Sequence, residues 1–234
     1  MPETIYTIPI NEAFDKAEES ESPSCPFCEL YEMLERNALE AVMGAAMMEP
    51  DIRIATNKLG FCRNHFNRIY ENGNRLGLAL ILESHLAEVN ERVFKKPIFD
   101  SKGEKSEKAM EEIGRTCYLC SKIADSLTKM FDNTIYIWET DEDFRRKFKH
   151  QRCFCMPHYR KLLQYGRSGL DKKKFAEFYD VAKGIEQKYI EELTKDVSWF
   201  CTKFDYRFDS EPWGNSKDSV PRAIDFLSAG KTQK

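Results

Sequence analysis

Apolar residues in this chain recur at intervals of three and four, and nowhere alternate with a period of two over a convincing length. Leu30, Leu34, Ala38, Ala41, Val42 and Ala45 form a 3.6-residue stripe that stops before Pro50, and Leu119, Ile123, Leu127 and Met130 form a second. Asp51 to Leu59, stopped by Gly60, predicts a short helix, and Thr140 with Asp143 predicts a capping box that opens another, carrying Phe144 and Phe148. Further helices are expected at Cys62 to Asn72, ended by Gly73, and at Pro157 to Tyr165, ended by Gly166. Two longer amphipathic helices follow, at about 75 to 94 and about 171 to 204, the second with Phe175, Phe178, Ala182, Ile185, Tyr189, Leu193, Val197 and Phe200 along one side. A pattern made only of such stripes predicts an all-α fold.

The stripes sit in a duplicated frame. Cys25-x-x-Cys28, 33 residues, and Cys62-x-x-His65 are matched by Cys117-x-x-Cys120, 34 residues, and Cys155-x-x-His158. Phe61-Cys62 aligns with Phe154-Cys155, His65-Phe66 with His158-Tyr159, Ile69 with Leu162, and after a one-residue gap Arg75-Leu76-Gly77-Leu78 with Arg167-Ser168-Gly169-Leu170. The expected organisation is two tandem pseudo-symmetric multi-helix repeats. An N-terminal extension spans 1–24, repeat one 25–95, a linker 96–112 (KPIFDSKGEKSEKAMEE), repeat two 113–204, and a tail with a short helix near Pro221 to Leu227 spans 205–234.

A C-x-x-C lets both sulfurs turn toward one ion, and two such clips complete a tetrahedral Zn²⁺ site. Each repeat supplies one Cys₃His set: Cys25, Cys28, Cys62 and His65, then Cys117, Cys120, Cys155 and His158. Each clip lies at an expected helix start, where the dipole and unpaired N–H groups favour thiolate. The spacing fixes the clips but leaves open whether they pair within a repeat or across repeats. Two zinc ions per chain are expected; an iron–sulfur cluster on the same ligands ranks below them. Four protein ligands leave no open position for an activated water, which makes the zinc structural. Cys153 is an alternative ligand or a redox-sensitive neighbour. His150 faces solvent in this reading, while His85 and Cys201 are packing residues.

Other chemistries fall away. The acidic, Ser-rich segment before Cys25 cannot be the buried strand that a glutaredoxin-type dithiol requires. A nucleobase deaminase needs H-x-E and a Pro before its C-x-x-C, where this chain has Ser24 and Thr116. Phosphate-binding, dinucleotide-binding, zincin and hydrolase signatures are missing, so no enzymatic role is expected.

Charge adds one candidate surface. The net charge of −3 divides into −8 for residues 1 to 112 and +5 for 113 to 234. Residues 144 to 174 hold Arg145, Arg146, Lys147, Lys149, Arg152, Arg160, Lys161, Arg167, Lys172, Lys173 and Lys174 against one acid, Asp171. Such a stretch suits an anion or nucleic acid, or is compensated by the acidic half. No apolar run reaches the roughly 18 residues that span a bilayer, and the N-terminus has no signal-peptide pattern, so a cytoplasmic protein is expected. In a reducing compartment eight cysteines favour metal over disulfides.

The run IYTIPINEAF, CPFCEL, GFCRNH, CYLC, FCMPH, WFCTKFDYRF and DSVPRAIDFL resembles, over nearly the whole chain, an uncharacterised bacterial family. This is the domain of unknown function 6062, found mainly in Gram-positive anaerobes. The resemblance implies an intracellular bacterial protein with paired Cys and His clips, and implies no activity. The reading is a zinc-stabilised interaction or adaptor protein that binds a protein partner or itself and no membrane. The alternatives are a nucleic-acid-binding regulator using the 144 to 174 surface and a redox or metal-responsive sensor using the cysteine clusters.

Overall fold

A computed structural model describes residues 6–44, 49–95 and 102–229. Among these residues the chain forms eleven α-helices and no strand. The helices are α1 (Thr7–Glu19), α2 (Pro26–Met43), α3 (Pro50–Leu59), α4 (Arg63–Glu71), α5 (Arg75–Asn90), α6 (Glu104–Arg115), α7 (Tyr118–Thr140), α8 (Glu142–Lys149), α9 (Met156–Gly169), α10 (Lys172–Thr202) and α11 (Ser219–Ser228). None is long and apolar enough to cross a membrane. The all-α expectation holds.

Two compact units emerge: one of Met1–Glu32 with Leu127–Lys234, the other of Met33–Ser126. They do not follow the boundaries drawn from the sequence. Helices α2 and α7 each carry residues of both.

The first unit has an aromatic interior. Phe14, Phe27, Phe131, Trp138, Phe144, Phe148, Phe154 and Phe178 are all fully buried. Phe27 stacks on Phe131 with centroids 4.1 Å apart, Phe148 lies 5.1 Å from Phe154, and Trp138 meets Phe178 edge-on at 5.1 Å. Burying each ring contributes about 1.5–3 kcal/mol, and a favourable ring pair adds about 0.5–1.5. Around this core α10 packs on α8, α9 and α11, and α1 on α8.

Helix α1 lies within the expected N-terminal extension, 1–24, and packs by one face. Ile10, Ala13, Phe14 and Ala17 are spaced three, one and three apart, and all four are buried. Intervening Asp, Glu and Lys residues lower the average hydropathy, so only the face, and not the segment, is apolar. Asn11 and Asp15, one turn apart on α1, both receive Lys147 of α8, at 2.9 and 2.6 Å.

The second unit has a smaller interior of Leu39, Val42, Phe61, Ile69, Leu78, Ile81, Val93, Leu119 and Ile123. Helices α3 and α4 pack on α5, which runs into one π-helical turn, Glu91–Lys95. Of the expected linker, 96–112, residues 96–101 lie outside the described residues, and 104–115 form α6. It buries no side chain, begins with Glu104 and Glu107 in its first turn, and is anchored where Ser106 Oγ donates to Val93 O at 2.8 Å.

Two caps differ from expectation. Asp141, not Thr140, caps α8, accepting from Asp143 N at 2.9 Å and Phe144 N at 3.1 Å, while the Thr140 hydroxyl donates back to Tyr136 O. Gly166 does not stop α9, which runs on to Gly169. A Cβ at Gly166 would lie 2.9 Å from the Phe178 ring, so this glycine serves the packing of α9 on α10.

Candidate metal centres

Every clip sits at a helix start. Cys62 and Cys155 are the N-caps of α4 and α9, with extended backbone, and His65 and His158 are the third residues of those helices. Both caps close the first turn alike: Phe66 N–H donates to Cys62 O at 2.9 Å and Tyr159 N–H to Cys155 O at 2.8 Å. Cys25 and Cys117 immediately precede α2 and α7, with Cys28 and Cys120 in the first turns. Side chains at an N-cap and three residues on share one side of the helix end, which is why this spacing chelates.

The clips gather as Cys25, Cys28, Cys155 and His158 in the first unit, and Cys62, His65, Cys117 and Cys120 in the second. Within each set the four donor atoms lie within 4.8 Å of one another. The tandem quartets expected from the sequence, Cys25, Cys28, Cys62, His65 and Cys117, Cys120, Cys155, His158, are therefore corrected. Each C-x-x-C takes the C-x-x-H of the other half, and the two closures are nested, the inner joining Cys62 to Cys120 and the outer Cys28 to Cys155.

Backbone contacts explain the exchange. Tyr118 N–H donates to Gly60 O at 2.9 Å and Thr116 Oγ to Leu59 O at 2.7 Å, which clamps the two clips of the second centre together. Gly60 has φ +59°, and a Cβ there would stand 2.7 Å from the imidazole of His85, whose Nδ1 lies 2.8 Å from Asn57 O. His85 is thus the packing residue it was expected to be. At the first centre Gln151 Nε2 donates to Phe14 O at 3.1 Å, Arg152 to Ser20 O at 2.9 Å, and Phe154 packs 6.3 Å from Phe27.

The distances fit one ion per set. Bonds of about 2.3 Å to sulfur and 2.0–2.1 Å to nitrogen give tetrahedral edges of about 3.8 Å for S···S and about 3.5 Å for S···N. In the first centre Cys28 Sγ lies 3.7 Å from Cys155 Sγ, and His158 Nδ1 lies 3.5, 3.7 and 3.1 Å from the sulfurs of Cys25, Cys28 and Cys155. In the second, Cys62 Sγ is 3.9 Å from Cys120 Sγ, and His65 Nδ1 is 3.3, 3.2 and 3.4 Å from Cys62, Cys117 and Cys120. All eight cysteines are free thiols.

Charge within each set is unevenly shared. Burial raises the Cys25 thiol, but contacts from Cys155, Cys28 and His158 outweigh it and pull the thiol well down, while its contacts with Cys155 and Cys25 push Cys28 up. At the second centre burial is likewise outweighed at Cys117, which falls to about 6 beside His65, and Cys120 is pushed up by burial and by Cys117. Thiolates this close repel one another, and a bound divalent cation would let three coexist.

Two acids escaped the sequence reading. Glu35, 1% exposed, accepts from His65 Nε2 at 3.1 Å and pairs with Arg68. It fixes His65 with Nδ1 toward the sulfurs, the carboxylate–histidine arrangement that orients metal ligands. Glu186, also buried, accepts from Phe154 N–H at 2.6 Å, and burial pushes its carboxyl up to about 8. The signal was there: both acids interrupt an apolar helix face, Glu35 before Leu39 and Val42, Glu186 between Ala182 and Tyr189.

The other candidates disperse. Cys153 joins neither set; it is 4% exposed and burial pushes its thiol up. His150 is exposed, as expected; Cys201 is exposed as well, and not the packing residue expected. Much of the basic stretch is engaged internally. Arg145 covers Trp138 at 5.0 Å and donates to Trp138 O and Glu139 O; Arg146 pairs with Asp143; Lys147 with Asp15; Lys174 with Glu139. Lys161 lies 5.7 Å over Phe131, Arg167 lies 5.7 Å over Phe175, and Arg152 donates to backbone. Lys149, Arg160, Lys172 and Lys173 are exposed, spread over three helices.

A family model described as a family of unknown function, DUF6062, matches residues 1–234. No curated protein and no solved structure matches the chain.

Proposed function

We propose that this chain, which belongs to the DUF6062 family over its whole length, is a zinc protein in which two structural ions fasten a helical scaffold for interaction with a protein partner or a second copy. One observation carries the reading: two separate sets of three sulfurs and one imidazole nitrogen, each with the edge lengths of a single tetrahedral ion. The donor set supports zinc, which accepts thiolate and imidazole together. Four donors mutually within 4.8 Å favour one ion over an iron–sulfur cluster, whose ligands bind different irons and stand further apart.

Both centres are four-donor sites at helix ends, so the metal has no vacant position for substrate or an activated water. This supports a structural role and a non-enzymatic protein. The internal engagement of Arg145, Lys147, Arg152 and Lys174 weighs against the nucleic-acid reading. The burial of Cys153 weighs against the redox reading, because reactive thiols are accessible and low in pKa. Elemental analysis of the pure protein tests the proposal: two zinc ions per chain are expected, and zero metal, or iron with inorganic sulfide, overturns it.

A further inference from the structure

A cavity of about 280 Å³ opens beside the first centre and is lined by three of its ligands, Cys25, Cys28 and Cys155. A closed structural site has no need of such an approach. Its charged lining is mostly acidic, Glu29, Glu32 and Asp225 against one cation, Arg222, and Cys153, Tyr189 and Phe226 complete an apolar side. Arg222 is neutralised elsewhere, by Asp196 at 2.8 Å and Asp218 at 3.0 Å, and Glu29 is paired with Lys16. Glu32 and Asp225 are exposed, and among the described residues neither belongs to an ion pair.

Geometry connects these carboxylates to the sulfurs. Glu32 follows Cys28 by one helical turn on α2, so both stand on one face, and Cys28 is the one ligand of this centre that is only half-buried. Asp225 reaches the cavity from α11. Ser24, half-buried, also lines it. Size permits a hydrated ion: six waters at about 30 Å³ each take about 180 Å³.

We propose that this cavity is the port through which a divalent cation is loaded into, and exchanged from, the first centre, with Glu32 and Asp225 as transient carboxylate ligands. The inference rests on the reading that the centre holds metal. The hydrated ion is drawn by the two uncompensated charges and sheds water as it meets the carboxylates. It then passes to the sulfur of Cys28, and on to Cys25, Cys155 and His158. Thiolate holds zinc more tightly than carboxylate does, which sets the direction, and each thiol gives its proton to solvent as it binds.

The test is cadmium exchange into the full-length, zinc-loaded protein, followed by ¹¹³Cd NMR, where each centre gives its own resonance. Cys120→Ser assigns the signal of the second centre. In the double variant Glu32→Gln, Asp225→Asn, uptake at the first centre should slow about 10-fold, the lower end of what charge focusing in a cleft provides. Uptake at the second centre should not change, and both should still fill. Added salt should slow the wild type and leave the variant unaffected. Equal rates in variant and wild type, or equal slowing at both centres, overturn the port. A protein that takes up no cadmium and holds no zinc overturns the metal reading instead.

Discussion

The two centres use the same four donor types at the same helix positions, yet they are supported differently. At the first, the imidazole of His158 lies 5.8 Å from both Phe27 and Phe131, inside the aromatic interior. At the second, the imidazole of His65 is held by Glu35, which Arg68 holds in turn, and Cys62 and Cys120 are half-buried. Two rings flank the imidazole of His158, and a buried carboxylate accepts from that of His65. The lesson is that a chelating motif fixes the first layer of atoms and leaves open how that layer is made rigid. Loop length does not separate the centres. Closing 127 residues rather than 58 is about one doubling, worth only about 0.6 kcal/mol in chain entropy, less than burying a single ring.

The largest test of the comparison is loss of a ligand. Cys155→Ser should lower the metal content from two ions to one and unfold much of the first unit, since structural zinc contributes apparent values of about 10–16 kcal/mol in small peptides. Elemental analysis and the helical CD signal measure both effects, and full helicity with one ion lost would refute a structural role. Next come the flanking rings. Phe131→Ala removes the ring stacked on Phe27 and Tyr165 and should cost about 3–5 kcal/mol, read as a fall in melting temperature, with weaker metal retention at the first centre only.

The matching change at the second centre is Glu35→Gln, which keeps the shape of the side chain and loses its charge. Competition with a chelator should show affinity there reduced about 10–100-fold and the first centre untouched. If both centres weaken equally, Glu35 is not a local support of the second centre. The smallest effect concerns pH. The Glu186 carboxyl is raised from its ordinary 4.5 to about 8, so the folded chain binds a proton there that the unfolded chain has lost, and stability falls as pH rises through that window. Glu186→Gln should flatten the profile between about pH 5 and 8 and leave stability below pH 4 nearly unchanged, as denaturant melts at several pH values would show.

Much of this was readable from the chain alone, for reasons that particular residues make plain. Helices α2, α7 and α10 announced themselves because their buried positions are large and apolar, as at Leu30, Ile123 and Phe178. Helix α1 did not, because four buried residues are diluted by acids on its outer face, and α6 did not, because it buries nothing. The candidate donors were legible because two-residue spacing is itself the geometry of chelation. Their partnership was not: 33 and 34 intervening residues permit either pairing, and the choice is made by Gly60 O and Tyr118 N–H, a backbone contact with no spacing signature. The corresponding contact could not form at the first centre, where Pro26 stands in the place of Tyr118 and has no N–H to give.

Nesting of the two closures sets an order on how the protein is made. As the chain leaves the ribosome, Cys25 and Cys28 emerge first, and their proper partner follows 127 residues after Cys28. At about 5–20 residues per second that is a wait of about 6–25 s. Through that interval the nearest complementary clip is Cys62 with His65, so the tandem pairing is the ready misassembly. Completion of the inner clasp, once Cys117 and Cys120 appear, would withdraw that decoy and leave the opening pair of thiols for the last.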